Sequence, residues 1–356
     1  MFAHLAETLV VAAAGGCTLG LLGVPAGWLS GSMLTVAAAA LLGRPMLVPL
    51  RFAQAIYIFI GISLGGVATP ATLHGIANYP LSVVALLLAV IAIGFGGAAY
   101  LRLVHGWDRL SAFLGSAPGG LSQVMVTAAE LGAEMRGIAI VQSVRVVMLA
   151  VALPAGLVLF GQAGVARRLG GELTIDTLDE LAILSAISIV VAIAAHRIRF
   201  PGGLLFGSML ASAVLHGTGY IHAVVPWWVA NIAMVALGAV GGARFANTSM
   251  ETLLKFVVAA FGTLAVSILI GGAFALALVA VSPLRVADVT VAFAPGAVDA
   301  MMLLALALNV DPVYVGAHHL ARIFFVSMLI PLVAHRVARR VPARKTPPSP
   351  LPPFQD

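Results

Sequence analysis

Charge is scarce in this chain and cysteine is nearly absent. Of its 356 residues 9% are Asp, Glu, Lys or Arg and 61% are hydrophobic, with a mean hydropathy of +1.09. A soluble domain needs a polar shell that this composition does not supply, so the chain reads as a polytopic membrane protein. Cys17 is the only cysteine, which excludes an intramolecular disulfide and a thiolate metal cluster. It follows Ala14-Gly15-Gly16, a run that faintly resembles a lipoprotein cleavage site, but no Lys or Arg precedes it. The expectation is an uncleaved N-terminus, with Cys17 a small packing residue in the first span.

Clustered metal ligands and catalytic motifs are missing too. His318-His319 is the one histidine pair, and neighbours on a helix do not face each other, so it makes a poor metal site. No nucleophile elbow, phosphate loop or helix-turn-helix stretch stands out. No metal, no cofactor and no direct nucleic-acid binding are therefore expected. The net charge of +6 does not change this, because Arg336, Arg339, Arg340, Arg344 and Lys345 sit together after the last apolar segment. Placed there, they read as a cytoplasmic anchor on an anionic lipid surface. The proline-rich stretch from Pro342 to Asp356 is expected to be disordered.

What the chain does have is a pattern that occurs twice. Pro25-Ala26-Gly27 with Gly31-Ser32-Met33-Leu34 matches Pro201-Gly202-Gly203 with Gly207-Ser208-Met209-Leu210 at an offset of 176. Pro49, Ala53, Gly61 and Gly65 match Pro226, Ala230, Gly238 and Gly242 at 177, and Pro118, Met125, Arg145 and Pro154 match Pro295, Met302, Arg322 and Pro331 at 177. So steady an offset marks an internal duplication. Residues 1–165 form the first membrane repeat, 166–180 a polar bridge, 181–341 the second repeat and 342–356 the tail. Each repeat holds five apolar spans, the first running Leu5 to Val24, Ala26 to Leu42, Phe52 to Val67, Leu81 to Leu103 and Gly137 to Phe160. The glycines spaced by four within them are packing signals that let backbones approach closely.

Between the fourth and fifth spans of each repeat lies a helix breaker, Ala117-Pro118-Gly119-Gly120 in one and Ala294-Pro295-Gly296-Ala297 in the other. Each breaks an apolar helical stretch, Asp108 to Leu131 and Val286 to Asn309. In hydrocarbon an unpaired backbone group is costly, so irregular backbone survives at membrane depth only beside protein or a watery cavity. The half-helix that resumes after each Pro-Gly presents free N–H groups and a positive dipole end, which together suit a small anion.

Arg145 and Arg322 lie deep in the spans after the breaks, where a charge costs about 2.5–3.5 kcal/mol and is by default a functional candidate. Two readings stand for them: guanidiniums facing the gaps to hold an anionic group, or buried structural pairs, Arg322 with Asp299 first among them. Asp299 binds a proton or Na⁺ on one reading and complements its half-helix on the other. Ser122 and Gln123 suit a solute or cation site, or a helix cap. Gln54 and Asn231 match at 177 inside apolar spans and either line the pathway or bond between helices. Glu130, Glu134 and Asp311 are expected near the interfaces. The candidate site is thus Pro118, Gly119, Gly120, Ser122, Gln123, Arg145, Pro295, Gly296, Asp299 and Arg322.

Orientation follows from Lys and Arg. Re-entrant breaks make the repeats inverted and divide these residues 14 inside to 3 outside, whereas crossing breaks make them parallel and give 12 to 5. The predicted fold is an all-α polytopic membrane protein of about ten transmembrane helices in two inverted repeats, each with a Pro-Gly-broken re-entrant helix.

The doubled pattern of Pro118 leading to Arg145 and Pro295 leading to Arg322 resembles the AbrB-duplication family of Gram-negative inner-membrane proteins, over nearly the whole chain to about Val341. Members are labelled as regulators or as an ammonia monooxygenase. The resemblance implies a multi-pass inner-membrane protein, and the basic cluster after the last span places its C-terminus in the cytoplasm. Any regulatory role would act on gene expression indirectly, and the oxygenase label lacks clustered ligands here. The reading is a secondary transporter or exporter of a small polar or anionic solute working by alternating access. The alternative is a membrane sensor that binds without moving its solute. The partners are that solute and the bilayer, with a second copy of the chain left open.

Overall fold

A computed structural model describes residues 2–66, 79–118, 121–161, 178–223 and 225–338. Most of the polar bridge and the tail after residue 341 lie outside them. Every regular element among the described residues is helical, in fourteen α-helices with one short 3₁₀ turn. The first seven are α1 (Phe2–Leu21), α2 (Gly27–Leu41), α3 (Leu50–Gly65), α4 (Pro80–His105), α5 (Arg109–Ser116), α6 (Leu121–Leu131) and α7 (Met135–Leu159). The second seven are α8 (Leu178–Arg197), α9 (Gly203–Gly217), α10 (Trp227–Gly242), α11 (Met250–Val281), α12 (Val286–Phe293), α13 (Val298–Ala307) and α14 (Pro312–Ala338). Helices α1 and α8 begin and end 176 residues apart, and α5 and α12 begin and end 177 apart. Seven helices are long and apolar enough by length and composition to cross a membrane, while α2, α3, α9 and α13 are shorter apolar helices.

Local chemistry sets the helix limits. Pro49 and Pro226 stand at the N-caps of α3 and α10, and Asp108 caps α5 by accepting from Leu110 N–H at 3.0 Å and Ser111 N–H at 2.9 Å. The expected interfacial acids have the same use: Glu134 caps α7 at Gly137 N–H, and Asp311 caps α14 at Val313 N–H (2.9 Å) and Tyr314 N–H (3.2 Å). These caps are tied back to the half-helices, because Glu134 N–H donates to Ser111 Oγ at 2.9 Å and Asp311 N–H donates to Asp288 Oδ1 at 3.0 Å. Ser111 and Asp288 are 177 apart, as are Glu134 and Asp311. The buried Asp288 carboxylate is held in turn by a fork from Arg285, with contacts of 2.8 and 2.7 Å.

The two halves pack reciprocally. Helix α2 lies on α10 and α9 on α3, while α6 meets α14 and α13 meets α7. The paired glycines are the crossing points: Gly61 and Gly65 of α3 face Leu205, Ser208 and Met209 of α9, and Gly238 and Gly242 of α10 face Leu29, Ser32 and Met33 of α2. No side chain fits there, so the backbones come together and dispersion contacts take the place of the hydrophobic drive absent in lipid.

Candidate functional site

Both breaks are real interruptions. Helix α5 ends at Ser116 and α6 resumes at Leu121; α12 ends at Phe293 and α13 resumes at Val298. Pro118 and Pro295 are buried in them. Gly119 and Gly120 lie outside the described residues, and so do the side chains of Ser122 and Gln123.

Ending a helix inside the protein strands its last carbonyls. Here each arginine takes two carbonyls at or just past the helix end. Arg145, 2% exposed, donates to Ser116 O at 3.3 Å and to Ala117 O at 3.1 Å. Arg322, 3% exposed, donates to Ala294 O at 2.6 Å and to Gly296 O at 3.0 Å. The fork of a guanidinium reaches two carbonyls at once, which a single ammonium does not. One turn earlier on each helix stands a helper at equivalent positions. Gln142 Nε2 donates to Leu114 O at 2.9 Å, and His319 Nε2 bonds Val291 O at 3.3 Å. A guanidinium only donates, so His319 Nδ1 accepts from Arg322 and the ring proton sits on Nε2. His318, its neighbour, points elsewhere and bonds Tyr314 O and Ser82 Oγ.

One of the two expectations for Arg322 is corrected by these contacts. It forms no ion pair with Asp299, and the ion pairs among the described residues are Arg44 with Glu7 and Arg285 with Asp288. The physical reason is that two stranded carbonyls already meet the guanidinium. Asp299 instead lies near Tyr57 of α3 on the wall of the same cavity.

A cavity of ≈ 800 Å³ opens between the halves, and its wall contains Leu121 and Arg145 from the first and Gly296, Asp299 and Arg322 from the second. Its volume falls within the ~300–1,000 Å³ range of small-molecule sites. Gln54 lines it and Asn231 is not among its lining residues. Five polar lining residues were not legible as site residues in the sequence: Tyr57, Gln142, His196, Arg199 and Arg244. Arg199 turns the chain between α8 and α9 with φ of 58°, in the left-handed region. The equivalent residue of the first half is Gly23, at φ of 73°. A bulky residue holding a glycine's conformation at a cavity wall is a signal of use.

Helices that a membrane would accept, two buried breaks and a cavity shared by the halves define the class: a polytopic helical membrane protein with doubled discontinuous helices. The family model described as "Transition state regulatory protein AbrB" matches residues 28–338, so the chain belongs to the AbrB family. It is 27% identical over 350 residues to "Uncharacterized protein YhjN" of Bacillus subtilis (strain 168), covering 91% of this chain and 90% of that one. It is 24% identical over 332 residues to "Putative regulator AbrB" of Escherichia coli (strain K12), covering 90% and 92%.

Proposed function

We propose that the protein is a secondary transporter of a small anionic solute, sited in a bacterial inner membrane with its C-terminus in the cytoplasm. The observation that carries this reading is that both arginines, the start of α6 at Leu121 and the second break at Gly296 and Ala297 border one cavity between the halves. Discontinuous helices from two repeats meeting around a midplane site are a recurrent transporter plan, in which the halves exchange inward and outward states. Reciprocal packing of α6 on α14 and of α13 on α7 supplies two equivalent elements that can exchange roles. Each half-helix start, at Leu121 and Val298, presents its positive end beside an arginine.

Flux into proteoliposomes tests the transport step, with radiolabelled succinate, citrate, benzoate and phosphate as probes. Saturable uptake of one of them, absent from liposomes carrying Arg322→Met, is the expected result. Solute binding with no flux for any binding probe would replace the transporter by a membrane sensor that binds its solute without moving it.

Topology is tested separately. In a Cys17→Ser background, Arg199→Cys and Arg244→Cys are expected to resist an impermeant maleimide in intact cells and to react after permeabilisation. Labelling of both from outside would overturn the inverted arrangement and favour parallel repeats.

A further inference from the structure

We infer that the solute of this cavity is an organic dianion, held by one pair of arginines at the breaks and a second pair at the mouth. This rests on the proposed solute site, but it concerns what binds and not whether it moves.

The charges on the wall come first. The cavity is lined by Arg145, Arg199, Arg244 and Arg322 against the single carboxylate of Asp299, with His196 and Tyr57 the other titratable groups. With His and Tyr neutral, four positive charges and one negative leave +3. Asp299 lies near Tyr57, and neither Arg145 nor Arg322 has an ion-pair partner among the described residues. Carbonyl bonds satisfy N–H groups but cancel no charge. Arg145 and Arg322 carry like charges on the wall of one cavity. Two buried like charges without a counter-ion are held at a cost that an anion between them would lift.

Free donors say where that anion touches. A guanidinium has five N–H donors. Arg145 uses two on Ser116 and Ala117, and its Nε is buried without a partner. Arg322 uses three, on Ala294, Gly296 and His319. The deep pair can therefore brace the breaks and still offer N–H groups to one anionic group.

The mouth pair exists in one half only. Arg199 stands where the first half has Gly23, and Arg244 where it has Val67, which lies outside the described residues. Arg199 is exposed and Arg244 half-buried, so both keep water and suit the far end of a solute that reaches toward the opening. One anionic group would leave the wall at +2. A second, met by the mouth pair, lowers it to +1, so a dianion offsets most of the charge that one anionic group leaves.

The rest of the wall selects an organic body. Phe200, Leu205, Phe206, Val240 and Ile323 line the same cavity, whose ≈ 800 Å³ far exceeds what a bare phosphate or sulfate fills. Apolar surface between two cationic ends fits a chain or ring carrying an acid at each end.

The test uses the purified full chain in detergent. Adipate, hexanoate, adipamide and sulfate are compared by thermal shift and by calorimetric titration. Adipate is expected to bind at least tenfold more tightly than hexanoate, with adipamide silent and sulfate weaker than hexanoate. A series from succinate to suberate is expected to peak at one length, set by the spacing of the two pairs. Arg199→Gly keeps the left-handed turn with the residue found at its equivalent, and Arg244→Gln keeps polarity. Each is expected to narrow the gap between adipate and hexanoate to under threefold. Equal binding of adipate and hexanoate, sulfate binding as tightly as adipate, a flat length series, or mouth variants that discriminate like the parent would each overturn the dianion. Dianion binding without flux defeats only the transport reading, whereas flux of a monoanion such as hexanoate with no preference for adipate defeats only this one.

Discussion

Arg322→Met is expected to stay folded and lose flux, while Arg322→Lys is expected to be the less stable of the two. The order runs against ordinary similarity and follows from magnitudes. Methionine removes the fork to Ala294 O and Gly296 O, and each stranded carbonyl costs about 1–3 kcal/mol. It also removes a charge whose placement at helix centre costs about 2.5–3.5 kcal/mol, so the two terms largely offset. Lysine keeps the charge and its cost, and its ammonium cannot reproduce the planar fork to both carbonyls. Thermal unfolding in detergent reads the order, and proteoliposome uptake reads the flux. A lysine variant as stable and active as the parent would show that the fork is not what holds the break.

Arg145 should behave alike with its carbonyls at Ser116 and Ala117. The helper positions give an internal control, since Gln142 and His319 make the equivalent bond in the two halves. His319→Gln is therefore expected to fold and His319→Leu to lose stability, because only glutamine can still donate to Val291 O.

The parts of this site that were legible in sequence are those with a backbone cause. Pro-Gly inside an apolar stretch forces a break wherever it falls, and the repeat offset located the second copy, so Arg109–Ser116 and Val286–Phe293 emerged within a residue or two. Both arginines were visible because charge is rare in a span. Their partners were not. A charged residue in a sequence suggests a countercharge, hence Asp299, but a carbonyl at a helix end has no letter of its own. Tyr57, Arg199 and Arg244 reach the cavity only through tertiary packing, from a span interior, a turn and a helix end. Comparing the copies position by position would have flagged Arg199, since it replaces Gly23.

Gly61→Ala and Gly238→Ala are expected to be damaging methyl additions, and to damage the protein in the same way. A Cβ at Gly238 would overlap Ser32 Oγ and come within 2.7 Å of Leu29 O; at Gly61 it would overlap Ser208 Oγ and Leu205 O. The serines cannot turn aside freely, because each hydroxyl is folded back on its own helix, Ser32 to Trp28 O at 2.8 Å and Ser208 to Leu204 O at 2.7 Å. The carbonyls cannot move without moving a helix. Overpacking of this kind costs about 1–3 kcal/mol. Gly156→Ala and Gly272→Ala have nothing within 4 Å of the new carbon and should be neutral or gain up to about 1 kcal/mol in helix propensity. The consequence reaches the cavity, because α3 carries Gln54 and Tyr57 and α10 carries Val240. Displacing α3 from α9 moves Tyr57 away from Asp299, so Gly61→Ala should lower solute affinity as well as unfolding temperature. Gly238→Ala should lower unfolding temperature with a smaller effect on affinity, since its helix brings Val240 to the wall and reaches Arg244 only through the short turn that follows it. Thermal unfolding and titration with one binding anion separate the two outcomes. Equal losses of affinity would show that the halves share the site more evenly than its lining residues indicate.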